Sequence, residues 1–82
     1  MTFLDIYYTR TESLDLTKNT ALTSFRIGES NIRSLDLSHN TELTSVVIAY
    51  CMNLKTLDVT NCTKITTFDV RNCNSSLTII GR

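Results

Sequence analysis

The sequence predicts a β-rich solenoid: parallel short strands on two sides of a coiled chain, with little helix. Three observations predict it. An apolar residue, a variable residue and a second apolar residue recur seven times, as Leu4-Asp5-Ile6, Leu14-Asp15-Leu16, Phe25-Arg26-Ile27, Leu35-Asp36-Leu37, Val46-Val47-Ile48, Leu57-Asp58-Val59 and Phe68-Asp69-Val70. The steps between them are 10, 11, 10, 11, 11 and 11 residues, and a fixed short period is the mark of stacked coils. Within each phrase the apolar residues lie two apart with a mostly polar residue between. That is strand alternation and does not fit a 3.6-residue helical period.

Eleven residues are too few for a coil with an interior. Two phrases give 21 or 22, which is enough. The chain therefore reads as about four coils, each carrying two extended segments on opposite sides. Side A holds Leu14, Leu35, Leu57 and Ile79. Side B holds Leu4, Phe25, Val46 and Phe68. With the first apolar residue as position 0, positions 0 and +2 point inward and +1 points out. Position −3 is apolar in most copies, as Leu22, Ile32, Leu43, Leu54 and Ile65. Position +5 holds Asn19, Ser30, Asn40, Cys51, Cys62 and Cys73, small groups suited to bonding a turning backbone from inside. Position −1 is Ser or Thr from Ser13 through Thr78. Equivalent residues on each side should form a parallel ladder with a spacing of about 4.8 Å. The expected domain is single and covers residues 1–82. Residues 1–13 form an atypical first half-coil or partial cap, and 14–80 are repeats.

Eighty-two residues leave little volume for one globular core, so each coil must bury its apolar residues against its neighbours. Eight basic and eight acidic residues cancel, leaving no positive field to draw nucleic acid or an anionic membrane. No apolar run approaches the roughly 18 residues of a membrane span, and the first residues lack the pattern of a signal peptide. The three cysteines are spaced 11 and 11 and occupy one repeat slot, which points to buried, reduced structural thiols. There is no C-x-x-C pair of the zinc type, and no cofactor or metal site is expected.

The phrases resemble the leucine-rich repeat, Leu-x-x-Leu-x-Leu-x-x-Asn-x-Leu. Ile32-Arg-Ser-Leu-Asp-Leu-Ser-His-Asn40, followed by Thr-Glu-Leu43, fits with one extra residue. Leu22 to Ile32 fits with Ser30 in the Asn slot, and Leu54 to Cys62 looks like the cysteine-containing variant. The nested half-repeats are similar to the short 21-residue repeats common in surface and secreted proteins of Bacteroidetes. The resemblance covers roughly residues 12 to 78. It implies a right-handed arc or rod whose usual activity is protein recognition, at a bacterial cell surface or outside the cell. Two departures stand out. Thr11 takes the −3 place of the second phrase, where the family has Leu, and Leu77 blurs the register before Ile79-Ile80-Gly81-Arg82. Family members carry capping segments at both ends, and here Tyr7 and Tyr8 are the candidates for a partial cap.

Outward residues on side A repeat as Ser13/Asp15, Ser34/Asp36 and Thr56/Asp58. Carboxylates in register invite a cation such as Ca²⁺. The Gly-rich turns of calcium-binding solenoids are missing, so the expected state is solvated Asp supported by Ser and Thr hydroxyls. Side B varies from coil to coil. A constant scaffold with variable outward residues is how this family adapts to a ligand, and Tyr and Arg commonly anchor interfaces. Arg26, Tyr50, Asp69 and Arg71 are therefore the candidate partner-binding residues. A Cys62–His39 pair is the one arrangement suggesting a nucleophile, and a smooth solenoid wall gives it neither pocket nor oxyanion site. The expected function is a non-enzymatic protein-interaction module with a protein partner. The alternative is a structural or self-assembling unit, a spacer or an end-to-end homo-oligomer. Neither nucleic-acid binding nor membrane insertion is expected.

Overall fold

The computed structural model describes residues 2–8 and 10–81. Met1, Thr9 and Arg82 are not described, so the outer limits of the expected 1–82 domain and part of the expected 1–13 cap lie outside the described residues. Seven strands follow one another: β1 (Thr2–Tyr7), β2 (Leu22–Gly28), β3 (Ser34–Asp36), β4 (Ser45–Ala49), β5 (Thr56–Asp58), β6 (Thr67–Arg71) and β7 (Thr78–Ile80). No helix occurs among the described residues, and hence none long and apolar enough to cross a membrane.

From β2 onward, successive strands go to alternate sheets. Side B is a four-stranded parallel sheet ordered β1-β2-β4-β6, and side A is a three-stranded parallel sheet ordered β3-β5-β7. The register joins residues one coil apart. Phe25 pairs with Leu4 and Val46, and Val46 with Phe68. Leu35 pairs with Leu57, and Leu57 with Ile79. This is the two-sided solenoid that the doubled 10/11 spacing predicts.

The inward rows form one continuous core. Phe25, Ile27, Val46 and Ile48 of side B meet Leu35, Leu37, Leu57 and Val59 of side A, all fully or almost fully buried. The −3 residues Leu22, Ile32, Leu43 and Leu54 close the corners of the same core. Burying a side chain of this size contributes about 1.5–3 kcal/mol. The middle coils therefore supply most of the stability, while Leu4, Ile6, Phe68 and Val70 in the outer coils are only partly buried.

The corners explain the +5 slot. On side A the +5 amide turns back onto the +2 carbonyl: Asn19 N donates to Leu16 O at 3.0 Å, Asn40 N to Leu37 O at 2.9 Å and Cys62 N to Val59 O at 3.0 Å. The +5 side chain then reaches the previous coil. Asn40 Nδ2 donates to Leu16 O at 3.0 Å and to Asn19 O at 2.8 Å. Cys62 Sγ approaches the equivalent carbonyls one coil later, Leu37 O at 3.0 Å and Asn40 O at 3.6 Å. A buried amide and a buried thiol thus hold the same position in the stack. Side B corners all share one feature. The +4 residues Tyr8, Glu29, Tyr50 and Asn72 take left-handed φ values between 50° and 57°, and on side A the +4 residue Asn61 does so at 69°. The bend aims Tyr8 N at Gly28 O (3.1 Å), Glu29 N at Ala49 O (3.1 Å) and Tyr50 N at Arg71 O (3.2 Å), extending the ladder past the strand.

One expected strand is missing. Leu14-Asp15-Leu16 has no strand geometry, and the side A ladder starts at β3. The first A segment approaches the next coil through Arg33 N to Glu12 O, at 3.0 Å. A cavity of about 30 Å³ lies beneath it, lined by Ile6, Thr11, Leu14, Ile27, Ser30 and Ile32. Thr11 occupies the place filled by Ile32 and Leu54 in later coils. Thr11 is exposed and polar there, and Leu14 packs against the core only partly buried. The expected tyrosine cap also differs. A Cβ built on Gly28 would stand 2.8 Å from two Tyr7 ring carbons, so that ring lies over the outer surface of β2. Tyr8 is almost wholly exposed.

Candidate functional site

The outward row of side A is committed to its own turns. Asp15 Oδ1 accepts from Thr17 N (3.0 Å) and Thr17 Oγ1 (2.7 Å). Asp36 Oδ1 accepts from Ser38 N at 2.8 Å. Asp58 Oδ1 accepts from Thr60 N (2.9 Å) and Thr60 Oγ1 (2.6 Å). The hydroxyl support comes from position +3, not from the −1 Ser/Thr row. Hydrogen bonds from Thr17 and Ser38 hold the Asp15 and Asp36 carboxyls below their ordinary range. Each carboxylate spends acceptor capacity on its own strand end, and no group of His, Cys, Asp and Glu converges as a metal-binding cluster among the described residues.

Side B varies along its outward rows. In register across β1, β2, β4 and β6 the +1 row reads Asp5, Arg26, Val47, Asp69, and the +3 row reads Tyr7, Gly28, Ala49, Arg71. The Tyr7 ring lies over Gly28, and the small Ala49 separates it from Arg71 along the row. Of the candidate residues, Asp69 and Arg71 are joined directly. Arg71 Nε donates to Asp69 Oδ1 at 3.2 Å, and Arg71 Nη2 pairs with Asp69 Oδ2. The pair lowers the Asp69 carboxyl pKa and raises that of the Arg71 guanidinium. Tyr50 stands beside them, its amide bonded to Arg71 O, with half of its surface exposed. Arg26 is separate. It lies between Asp5 and Val47, two strands from Asp69, and in none of the ion pairs found among the described residues. The four candidates thus form a group of three and an outlier on one face.

Two surface features were not anticipated. Tyr8 and Tyr50 share the left-handed +4 row with Glu29 between them, and together with Tyr7 they give side B an aromatic flank. An L-residue in this conformation costs roughly 1 kcal/mol, and neither Tyr nor Glu signals it in a sequence. Along the corner leading into side A, an open groove of about 300 Å³ is lined by Arg33, Asn53 and Lys55. Arg33 is tied there to Glu12 at 3.4 Å.

Among the described residues, no hydrogen bond joins the His39–Cys62 pair that the sequence suggested. His39 Nδ1 is 3.5 Å from Ser38 Oγ, while Cys62 is buried and directed at backbone carbonyls. Burial pushes the Cys62 thiol pKa up, opposite to what a nucleophile needs.

A family model for leucine-rich repeats, in two copies, matches residues 30–78. No curated protein and no solved structure matches the chain. The matched span runs from the +5 corner of β2 to the start of β7 and takes in β3, β4, β5 and β6. Leucine-rich repeats are typically non-enzymatic modules that bind proteins. With more than half its length matched by that model and its strands stacked one repeat apart on two sides, this chain belongs to the leucine-rich-repeat family.

Proposed function

We propose that this chain is a protein-interaction module that meets its partner through side B, with Tyr50, Arg71, Asp69 and Arg26 as the contact residues. One observation carries the choice of face. Side A repeats Asp in the +1 place of three coils, Asp15, Asp36 and Asp58, and ties it to its own turn, whereas the outward rows of side B vary and present Tyr50 beside an Asp69–Arg71 pair. A tyrosine supplies large contact area at low entropic cost, and an arginine supplies several donors. The Asp69 pairing pre-orients Arg71, which reduces the side-chain freedom lost on binding.

A photo-cross-linking amino acid tests the choice of face, placed in turn at positions 26, 50, 36 and 58. Cross-links from 26 and 50 but not from 36 and 58 support side B. The partner so identified is then titrated against Tyr50→Ala and Arg71→Ala. A loss of at least about tenfold in affinity, about 1.4 kcal/mol, is expected for each with an unchanged circular dichroism spectrum. Cross-links confined to 36 and 58 would overturn the proposal.

The last coil favours a second reading, self-association. Ile79 and Ile80 are exposed and Phe68 and Val70 half-buried, while their counterparts Leu57, Phe25, Val46 and Ile48 are fully covered. Another copy seated there would bury that apolar surface and continue both sheets. Light scattering over a range of concentrations decides this reading. A mass that grows with concentration and falls in Ile79→Lys supports it, and a constant monomer mass removes it.

A further inference from the structure

The three cysteines are free, and two of them are stacked. Cys51 and Cys73 are the +5 residues of consecutive side B corners. The β4/β6 register ends with Ala49 opposite Arg71, and the Tyr50 N to Arg71 O bond carries the alignment one residue further. The next residues but one are Cys51 and Cys73. Both follow a left-handed residue, Tyr50 (φ 57°) and Asn72 (φ 54°), so the two corners have the same shape. Aligned residues on neighbouring parallel strands lie about 4.8 Å apart, inside the roughly 4.4–6.8 Å Cα separation that a disulfide spans.

The sulfurs occupy equivalent places in the stack. Cys51 Sγ lies 3.6 Å from Ala49 O and Cys73 Sγ 3.3 Å from Arg71 O, each two residues back in its own coil, and Cys73 Sγ also comes within 3.9 Å of Ile48 O in the coil of Cys51. Cys73 is also near enough to act on the Cys51 thiol, adding to the burial that raises its pKa. Cys62 is placed differently. It sits on the opposite side of the solenoid, with its sulfur on Leu37 O and Asn40 O.

We propose that Cys51 and Cys73 are a cystine-forming pair, a modification site that reacts with small-molecule disulfides and bolts the third coil to the fourth. This inference is independent of the partner-binding reading. Cys73 is only partly covered and Cys51 is fully buried, which sets the order of events. The Cys73 thiolate attacks the disulfide RSSR, forming Cys73–S–S–R and releasing RS⁻. The Cys51 thiolate then attacks the Cys73 sulfur and expels the second RS⁻. Two protein thiols lose two protons and two electrons, and one external disulfide becomes two thiols. The link closes a loop through β5 and β6 and restrains the coil whose core residues are least covered.

The test uses the folded chain and glutathione disulfide. After oxidation the remaining thiols are alkylated in denaturant and the linked peptides are mapped by mass spectrometry. The expected product has lost two hydrogens, carries a Cys51–Cys73 linked peptide and is alkylated only at Cys62. Its Tm should rise by roughly 15 °C and return on reduction, as expected for closing a loop of this length in a small domain. Cys73→Ser should abolish both the link and the Tm rise, and Cys62→Ala should retain both. A link that includes Cys62, a covalent dimer, a stable glutathione adduct at Cys73, three alkylated thiols, or a Tm rise that survives in Cys73→Ser would overturn the proposal. Cys73→Ser replaces a partly covered thiol, so its folding is verified independently by circular dichroism.

Discussion

Replacing Asn40 tests whether the +5 slot holds the coils together. Its amide is fully buried and donates to Leu16 O and Asn19 O of the preceding coil. Its Oδ1 is buried with no hydrogen-bond partner. Asn40→Ala removes two hydrogen bonds, each contributing about 1 kcal/mol net, and leaves a small cavity that costs about 1 kcal/mol more. The two carbonyls do not become orphans, because Leu16 O still accepts from Asn19 N and Asn19 O from Leu22 N. Removing the unpartnered Oδ1 returns about 1 kcal/mol. The expected net loss is about 2 kcal/mol, a fall in Tm of roughly 10 °C for a domain of this size. Asn40→Cys should lose half of that or less, since Cys62 already reaches the equivalent carbonyls one coil later. The assay is urea unfolding of the three proteins, followed by circular dichroism. Equal destabilisation by Ala and Cys would refute the reasoning, because the slot would then need only volume.

Other perturbations give graded outcomes. Leu35→Ala, at the centre of the core, should cost about 2–5 kcal/mol in the same unfolding assay, and a loss below about 1 kcal/mol would contradict its placement. Thr11→Leu should gain about 1 kcal/mol by filling the cavity beneath Leu14, and the Leu14 to Leu16 amides should then show slower hydrogen exchange. Glu29→Gly should gain about 0.5 kcal/mol, because glycine adopts the left-handed corner at φ 50° without the Cβ clash; Glu29→Ala keeps that clash and should gain nothing. On the acid side, the folded Asp36 carboxyl pKa is depressed by Ser38, so its contribution is present above the unfolded value near pH 4 and is lost as pH falls through the folded value; the acid limb should be shallower in Asp36→Asn. On the alkaline side, burial raises the Cys51 and Cys62 thiols from 9.0, so stability should fall as pH rises above that value, and less steeply in Cys62→Ala.

Most of the scaffold was legible because the period does two jobs. The two-residue alternation places positions 0 and +2 in the core, and the 21–22-residue repeat aligns Phe25 with Val46 and Leu35 with Leu57. Three features were not legible, each for a physical reason. The Leu14 phrase looks like its successors, yet its strand depends on the −3 neighbour, and Thr11 does not support it. The left-handed side B corners carry Tyr8, Glu29 and Tyr50, residues with no preference for that conformation; inter-coil hydrogen bonds impose it. The tie between Asp69 and Arg71 follows from two opposite charges at i and i+2 on one strand face, but composition alone does not reveal that each satisfies the other. The side A aspartates are the converse case. Their row suggests a shared ion, and the local Thr17, Ser38 and Thr60 bonds show three separate turns.

The most direct test of the two-sided solenoid is a map of backbone nuclear Overhauser effects on the isotopically labelled chain. Cross-strand contacts are expected between phrases one coil apart, such as Val46 with Phe68 and Leu35 with Leu57, in parallel register on both sides. Backbone cross-strand contacts between adjacent phrases instead, Leu35 with Val46 or Val46 with Leu57, would mean that each half-repeat pairs with the next in a single sheet. The separation into a constant side A and a variable side B would then be wrong.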